Sequence, residues 1–329
     1  MSDRFVYLLR QSRASPPGRP REEEAASVYR AAMQQFEDLL EAAAATKPAG
    51  RPLPLFYALS QVGRAIVAAR GGPQDHSGHG LIRRLPSETE SILHARVERQ
   101  PDKRRGQFQV VSSALDSAVL DQSLELGACL ASLPDFADEP LLADWLLAVR
   151  VYPFYGSALV RLEGGEWAMG SYVDLEAPAQ TIEAFQDQLE KYPLAARARA
   201  TVLSIPPHSR VLSEKPIYPG APHVVWPATG LGYEQAAPAY RQENHHWLRP
   251  GLTATGETPI PLMTWWLALF TLSMIARYHP VAWVTALDPD QSPTATLLER
   301  VMEEGLSAVP QLAYEAVVGH PCLVPALDT

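Results

Sequence analysis

Cysteine is scarce in this sequence: Cys129 and Cys322 are the two present, and each stands alone. With no CxxC pairing, neither a disulfide framework nor a thiolate zinc site is indicated. Lysine is scarce as well, four residues among the 28 Lys+Arg, a preference we read as codon bias. Long hydrophobic runs are missing. The most apolar stretch, Leu262–Ala276, is uncharged but covers about fifteen residues, short of the ~20 that a membrane span needs. It ends in Arg277-Tyr278-His279-Pro280 and reads as a core helix. The first residues, MSDRFVYLLRQSR, lack the apolar run and small-residue cleavage pattern of a secretory signal. These absences predict a cytoplasmic protein with no membrane partner. No P-loop, GxGxxG, GxSxG, HExxH or kinase signature occurs, so no cofactor is predicted.

What is present fits a globular chain. Of 329 residues, 47% are hydrophobic and 20% charged, which argues against bulk disorder. The 30 prolines gather at segment joints such as Pro206-Pro207, Pro216 and Pro219, where they fix turns and bar long helices. A net charge of −9 argues against coating nucleic acid by bulk electrostatics, so a nucleic-acid partner is not indicated by charge. The charge is uneven, however. Residues 51–105 carry ten Lys/Arg against five Asp/Glu, and residues 106–329 carry eleven against twenty-five. A basic sub-region on an acidic body leaves room for a local anion site, although charge runs are usually solvent-facing.

Periodicity predicts an α+β fold with packed N- and C-terminal helices and a β-containing middle. After an N-terminal arm over 1–21 that ends Pro-rich, apolar residues at 3–4 spacing predict a helix over 22–45. A second helix runs from Pro52 to Arg70, with Gly71-Gly72 as its stop. Residues 71–90 read as a loop. Ile92–Val97 and Phe108–Val111 read as a β-hairpin around a basic PDKRRG tip, and short helices follow near 115–130 and 141–147. Residues 148–260 are β-rich, with a second hairpin around Gly164-Gly165, a helix near 181–189 and strand-like pieces around 200–204, 209–212, 222–226 and 246–248. Helices return at 261–278, 281–286 and 292–318, the last kinked or split by Pro310. Residues 22–147, 148–260 and 261–329 thus form three stretches of one composite unit, with a two-domain split near 147 as the alternative. Trp265, Trp266 and Trp283 read as core.

Several side chains invite chemistry. Arg64 lies on the helix face opposite Val62 and Ile66. Arg70 ends that helix and precedes His76 by five intervening residues, a spacing that resembles the R-x4-6-H element of HEPN-type ribonucleases. There an Arg/His pair polarises the phosphate and assists attack by the 2′-hydroxyl. Gly71, Gly72 and Pro73 interrupt the helix that would hold the pair in register, and a solvated loop histidine is the competing reading. Asp75, His76 and His79 lack a further spaced ligand pair, so no metal is predicted. His79-Gly80 suits a turn, with glycine at positive φ. Arg277 and Tyr278 end the apolar helix of the C-terminal third, where a cation favours the negative end of the dipole. Convergence of Arg64 and Arg277 on a polar pocket, with Tyr278 and His79, is the preferred ligand site.

Two segments carry a resemblance. Pro54-Leu55-Phe56-Tyr57-Ala58-Leu59-Ser60-Gln61-Val62-Gly63-Arg64-Ala65-Ile66, followed by His79-Gly80-Leu81, resembles the N-terminal signature of the YaaC-like family. Leu272 to Pro280, with Trp283, resembles that family's arginine–tyrosine–x–proline element. The resemblance spans roughly residues 20–318 and implies a bacterial, largely uncharacterised class. It implies a component similar to those of multi-gene antiphage systems, with ATPase or nuclease partners encoded nearby. The leading expectation is a non-enzymatic accessory or sensor protein that binds partner proteins. A HEPN-like ribonuclease and a small-anion or nucleotide binder are the alternatives.

Overall fold

The structure is a computed structural model. It describes residues 2–18, 23–72, 78–87, 90–101, 106–153, 159–161, 167–173, 182–195, 199–202, 222–227, 238, 240–241 and 245–320. The chain divides into two compact units: Met1–Leu146 with Leu252–Ala254 and Thr258–Cys322, and Leu147–Gly251 with short flanking pieces.

The first unit begins where an arm is predicted, but α1 (Ser2–Ser12) is a helix. Phe5 and Leu9, four residues apart, are buried, and Arg10 reaches the buried Glu37 at 2.8 Å. Helices α2 (Glu23–Ala45) and α3 (Pro52–Ala69) follow, with acidic residues in the first turn of α2 and proline at the start of α3. Next come β1 (Leu81–Arg84), β2 (Arg96–Arg99), α4 (Gln107–Ala114), β3 (Leu124–Glu125) and α5 (Leu126–Ala131). The three strands form an antiparallel sheet in the order β1-β2-β3, with Arg83 opposite Val97 and Arg84 opposite Arg96.

Two expectations change here. Residues 81–84, read as loop, are a strand, and the partner of β2 is β1 and not residues 108–111. Phe108-Gln109-Val110-Val111 has the composition of a strand, but a short apolar run cannot be told from a buried helix by pattern alone. Gly106 in extended conformation starts α4. Gln107 N–H and Phe108 N–H donate to the Gly78 and His79 carbonyls, while the Gln107 and Gln109 amides donate to Ser60 and Gly80 carbonyls. Each orphan donor of the helix start that finds such an acceptor favours the helix. Within 115–130 the helix is confined to α5, and in 141–147 a 3-10 turn at Pro140–Leu142 stands in place of a helix.

The second unit holds an antiparallel sheet in the order β7-β8-β6-β4-β9, with β5 pairing β6. Its strands are β4 (Val149–Pro153), β5 (Leu159–Arg161), β6 (Trp167–Val173), β7 (Arg199–Val202), β8 (Pro222–Pro227) and β9 (His246–Leu248). Helix α6 (Ile182–Leu189) buries Phe185 and Leu189, and the Tyr192 hydroxyl donates to the Leu147 carbonyl. The strand-like piece at 209–212 and the glycine turn at 164–165 lie outside the described residues.

The first unit closes with α7 (Pro261–Tyr278), α8 (Pro280–Ala286) and α9 (Ala295–Val318). Every residue of α7 from Leu262 to Ile275 is buried, as befits a helix packed on all sides. The N- and C-terminal helices pack together, α3 against α7 and α9, and α1 against α9. Phe56 meets Trp266 edge-on at 6.1 Å and Phe270 at 5.6 Å, while Trp265 packs on Phe136. Pro310 sits inside α9 without ending it, although Leu306 thereby loses its intrahelical donor.

Candidate functional site

Four pieces of the first unit meet around the end of α7. Pro280 has no N–H and drives the preceding residue out of helical conformation. His279 accordingly takes φ −135° and ψ 57°, α7 stops at Tyr278, and α8 begins afresh. Trp283 of α8 is buried and its indole N–H donates to the Ala49 carbonyl at 2.7 Å, which anchors the turn. The consecutive residues Arg277, Tyr278 and His279 are presented at this break.

Arg277 Nη1 donates to the Tyr57 hydroxyl of α3 at 3.1 Å, and its guanidinium lies 5.1 Å from the Tyr278 ring. Arg83 comes from β1, on the sheet face shared with the buried Leu81 and Val97, since alternate residues of a strand point the same way. Its guanidinium is 6.0 Å from the same Tyr278 ring, and Nη2 stands 2.6 Å from His279 Nε2. Arg83 Nε is buried and has no hydrogen-bond partner among the described residues. His79 rests on aromatic rings: Phe56 at 5.1 Å, Phe270 at 5.8 Å and Tyr57 at 6.4 Å.

Backbone geometry holds His79 in place. Gly80 takes φ +76°, and a Cβ there would stand 2.7 Å from Gly106 Cα and 2.0 Å from Gln109 Oε1, so only glycine fits. The imidazole therefore leaves a turn pinned on both sides to the start of α4.

The electrostatics are one-sided. Burial holds Arg83 below the ordinary arginine value, with Tyr278 opposing, yet a guanidinium stays protonated. His279 is held below the usual histidine range, first by burial and then by the Arg83 charge. Among the described residues neither Arg83 nor Arg277 forms an ion pair with a carboxylate. Two cations, two imidazoles and two phenols are thus gathered, which equips the cluster to donate hydrogen bonds to an anion.

A sequence model of the YaaC-like protein family matches residues 4–317, nearly the whole chain. The chain belongs to the YaaC-like family. No curated protein and no solved structure matches it. Both segments that carried the resemblance supply the cluster of this YaaC-like protein, Tyr57 and His79 from the first and Arg277, Tyr278 and His279 from the second.

Of the residues singled out in the sequence, the structure brings together Arg277, Tyr278 and His79. Arg64 is exposed, and no contact joins it to Arg277, which meets Tyr57 instead. Because both arginines are solvent-exposed, the desolvation cost that would have forced them onto a shared partner does not arise. Arg70 donates to the Ala316 carbonyl at 3.2 Å, at the C-terminal end of α9, where a cation suits the helix dipole. His76 lies outside the described residues, as does Asp75. No group of three His, Cys, Asp or Glu among the described residues could hold a metal, and no described helix is long and apolar enough to cross a membrane.

Arg83, His279 and Tyr57 were missed as site residues, and the first two left a signal. In Leu81-Ile82-Arg83-Arg84 two neighbouring arginines in a strand cannot share a face, so one must turn toward the core. In Tyr278-His279-Pro280 the proline fixes a helix break at the histidine.

Proposed function

We infer that this protein is a non-enzymatic sensor or accessory component that binds a small anion, of the kind a nucleotide phosphate presents, and reports it to a partner protein. The observation that carries this reading is the convergence of Arg83, Arg277 and His279 without a carboxylate among the described residues. A partly desolvated guanidinium is costly without a counter-charge, and its planar fork matches phosphate oxygens. The partner is supported by the neighbouring surface, where Val281 is 80% and Val284 59% exposed on α8, directly after the cluster. A role beside an ATPase or nuclease in antiphage defence is proposed from the family resemblance.

Thermal unfolding with phosphate, pyrophosphate or ATP tests the binding. A ligand at 100 times its Kd stabilises the folded state by about 2.7 kcal/mol. That stabilisation is expected for the unaltered chain and lost in Arg83→Ala and Arg277→Ala. Equal stabilisation of all three proteins, or none in any, would overturn the reading.

A further inference from the structure

A guanidinium carries only donors, so the 2.6 Å contact between Arg83 Nη2 and His279 Nε2 requires the imidazole nitrogen to accept. His279 in this state is neutral, with its proton on Nδ1. Protonation of Nε2 would set one N–H against another and break the contact. Meanwhile Arg83 Nε is buried and has no partner among the described residues, so these satisfy only part of the fork.

The charged and titratable side chains of the cluster offer His279 no counter-charge. They are Arg83 from β1, Arg277 and Tyr278 from α7, Tyr57 from α3 and His79 from the turn before β1. Glu98 of β2 belongs to the other face of the sheet, where it pairs with Arg84. An imidazolium at position 279 therefore lacks an anion among the described residues until one arrives from solution.

Building on the anion-binding reading, we propose that the site takes a phosphate-type oxyanion together with one proton. The anion draws the Arg83 fork away from His279. His279, now protonated at Nε2, becomes a further donor to the same oxyanion. No bond is made or broken beyond the N–H, and the proton comes from solvent. Burial and the Arg83 charge keep His279 below the usual histidine range before binding, and an oxyanion within reach raises it. Linkage fixes the sign: a ligand that raises the imidazole's affinity for protons binds more tightly as pH falls. The gain is at most about tenfold per pH unit for one proton, and it flattens below the unliganded His279 value.

Sulfate is the sharpest probe, because its own charge is constant from about pH 5.5 to about pH 8.5 while a histidine titrates. Calorimetric titration of the full chain over that range is paired with NMR titration of the histidine ring signals, His279 being identified by its loss in His279→Gln. The expected result is an affinity that weakens by about threefold to tenfold per pH unit over part of the range. His279 should titrate at higher pH with sulfate than without, and His279→Gln should bind at every pH about as weakly as the unaltered chain does near pH 8.5, with a flat profile. If neither sulfate nor phosphate binds at any pH, the anion site itself falls and the coupling with it. If sulfate binds but His279 titrates unchanged, or His279→Gln keeps the pH profile of the unaltered chain, the coupling falls and the anion site stands.

Discussion

The two faces of the β1-β2-β3 sheet treat arginine in opposite ways. On the outer face Arg84 pairs with Glu98 at 2.6 Å and Arg96 with Glu125 at 2.9 Å, and Glu125 also accepts from the Trp145 indole. On the inner face Arg83 finds an imidazole and a phenol ring in place of a carboxylate. Arg83 and Arg84 are adjacent in sequence and share a strand, so the pleat alone sends them to different surroundings. A cation with a carboxylate in water has its chemistry settled. One that is partly buried beside a neutral imidazole and a phenol ring is left open to a ligand.

The largest effect is expected from removing the floor of the inner face. Phe56 is fully buried and supports His79, Trp266 and Phe270 at once. Phe56→Ala should cost about 3–5 kcal/mol in chemical denaturation, the usual result of emptying a packed aromatic site. A loss below about 1 kcal/mol would mean that the aromatic platform is not rigid. On the outer face the expectation is much smaller. The Arg84 side chain is 66% exposed in its pair with Glu98, so Arg84→Ala should leave the denaturation midpoint nearly unchanged and anion binding intact. Loss of anion binding in that variant would erase the distinction between the faces.

The smallest effect is on pH dependence. His279 is held below the ordinary histidine value, so folding favours its neutral form. That contribution is present above the unfolded histidine value near pH 6.5 and is lost as pH falls through the folded value. The melting temperature of the ligand-free protein should therefore decline slightly below about pH 6.5, and less so in His279→Gln. An identical decline in both would show that His279 is not desolvated.

Much of the helical frame was legible because long apolar periodicities leave few alternatives. Helices predicted at 22–45, 52–70, 261–278 and 292–318 lie at Glu23–Ala45, Pro52–Ala69, Pro261–Tyr278 and Ala295–Val318. The small sheet was illegible for a physical reason. Its strands have two to four residues, and their pairing depends on where α4 caps its N-terminus. Half of the cluster could be read, because Arg277, Tyr278 and His79 stand out at a helix end and a glycine turn. For Arg83 the two adjacent arginines signal only that one of them turns inward, and the register with Val97 decides which. Arg64 misled because a lone charge in an apolar helix sequence looks buried, while the helix turns it to solvent.

Gly80 and Gly106 have a meaning for how such a chain can change over generations. A Cβ on Gly106 would stand 2.0 Å from Gly80 Cα, and one on Gly80 would stand 2.7 Å from Gly106 Cα. Each glycine is thus the other's empty space, and the two positions amount to a single degree of freedom. A descendant that gained a side chain at either one would have to part the turn carrying His79 from the start of α4. Once they were parted, the second glycine would no longer be under the same pressure, because the gap it protected would already be gone. Sterically the pair acts as one position, although 26 positions separate its two letters.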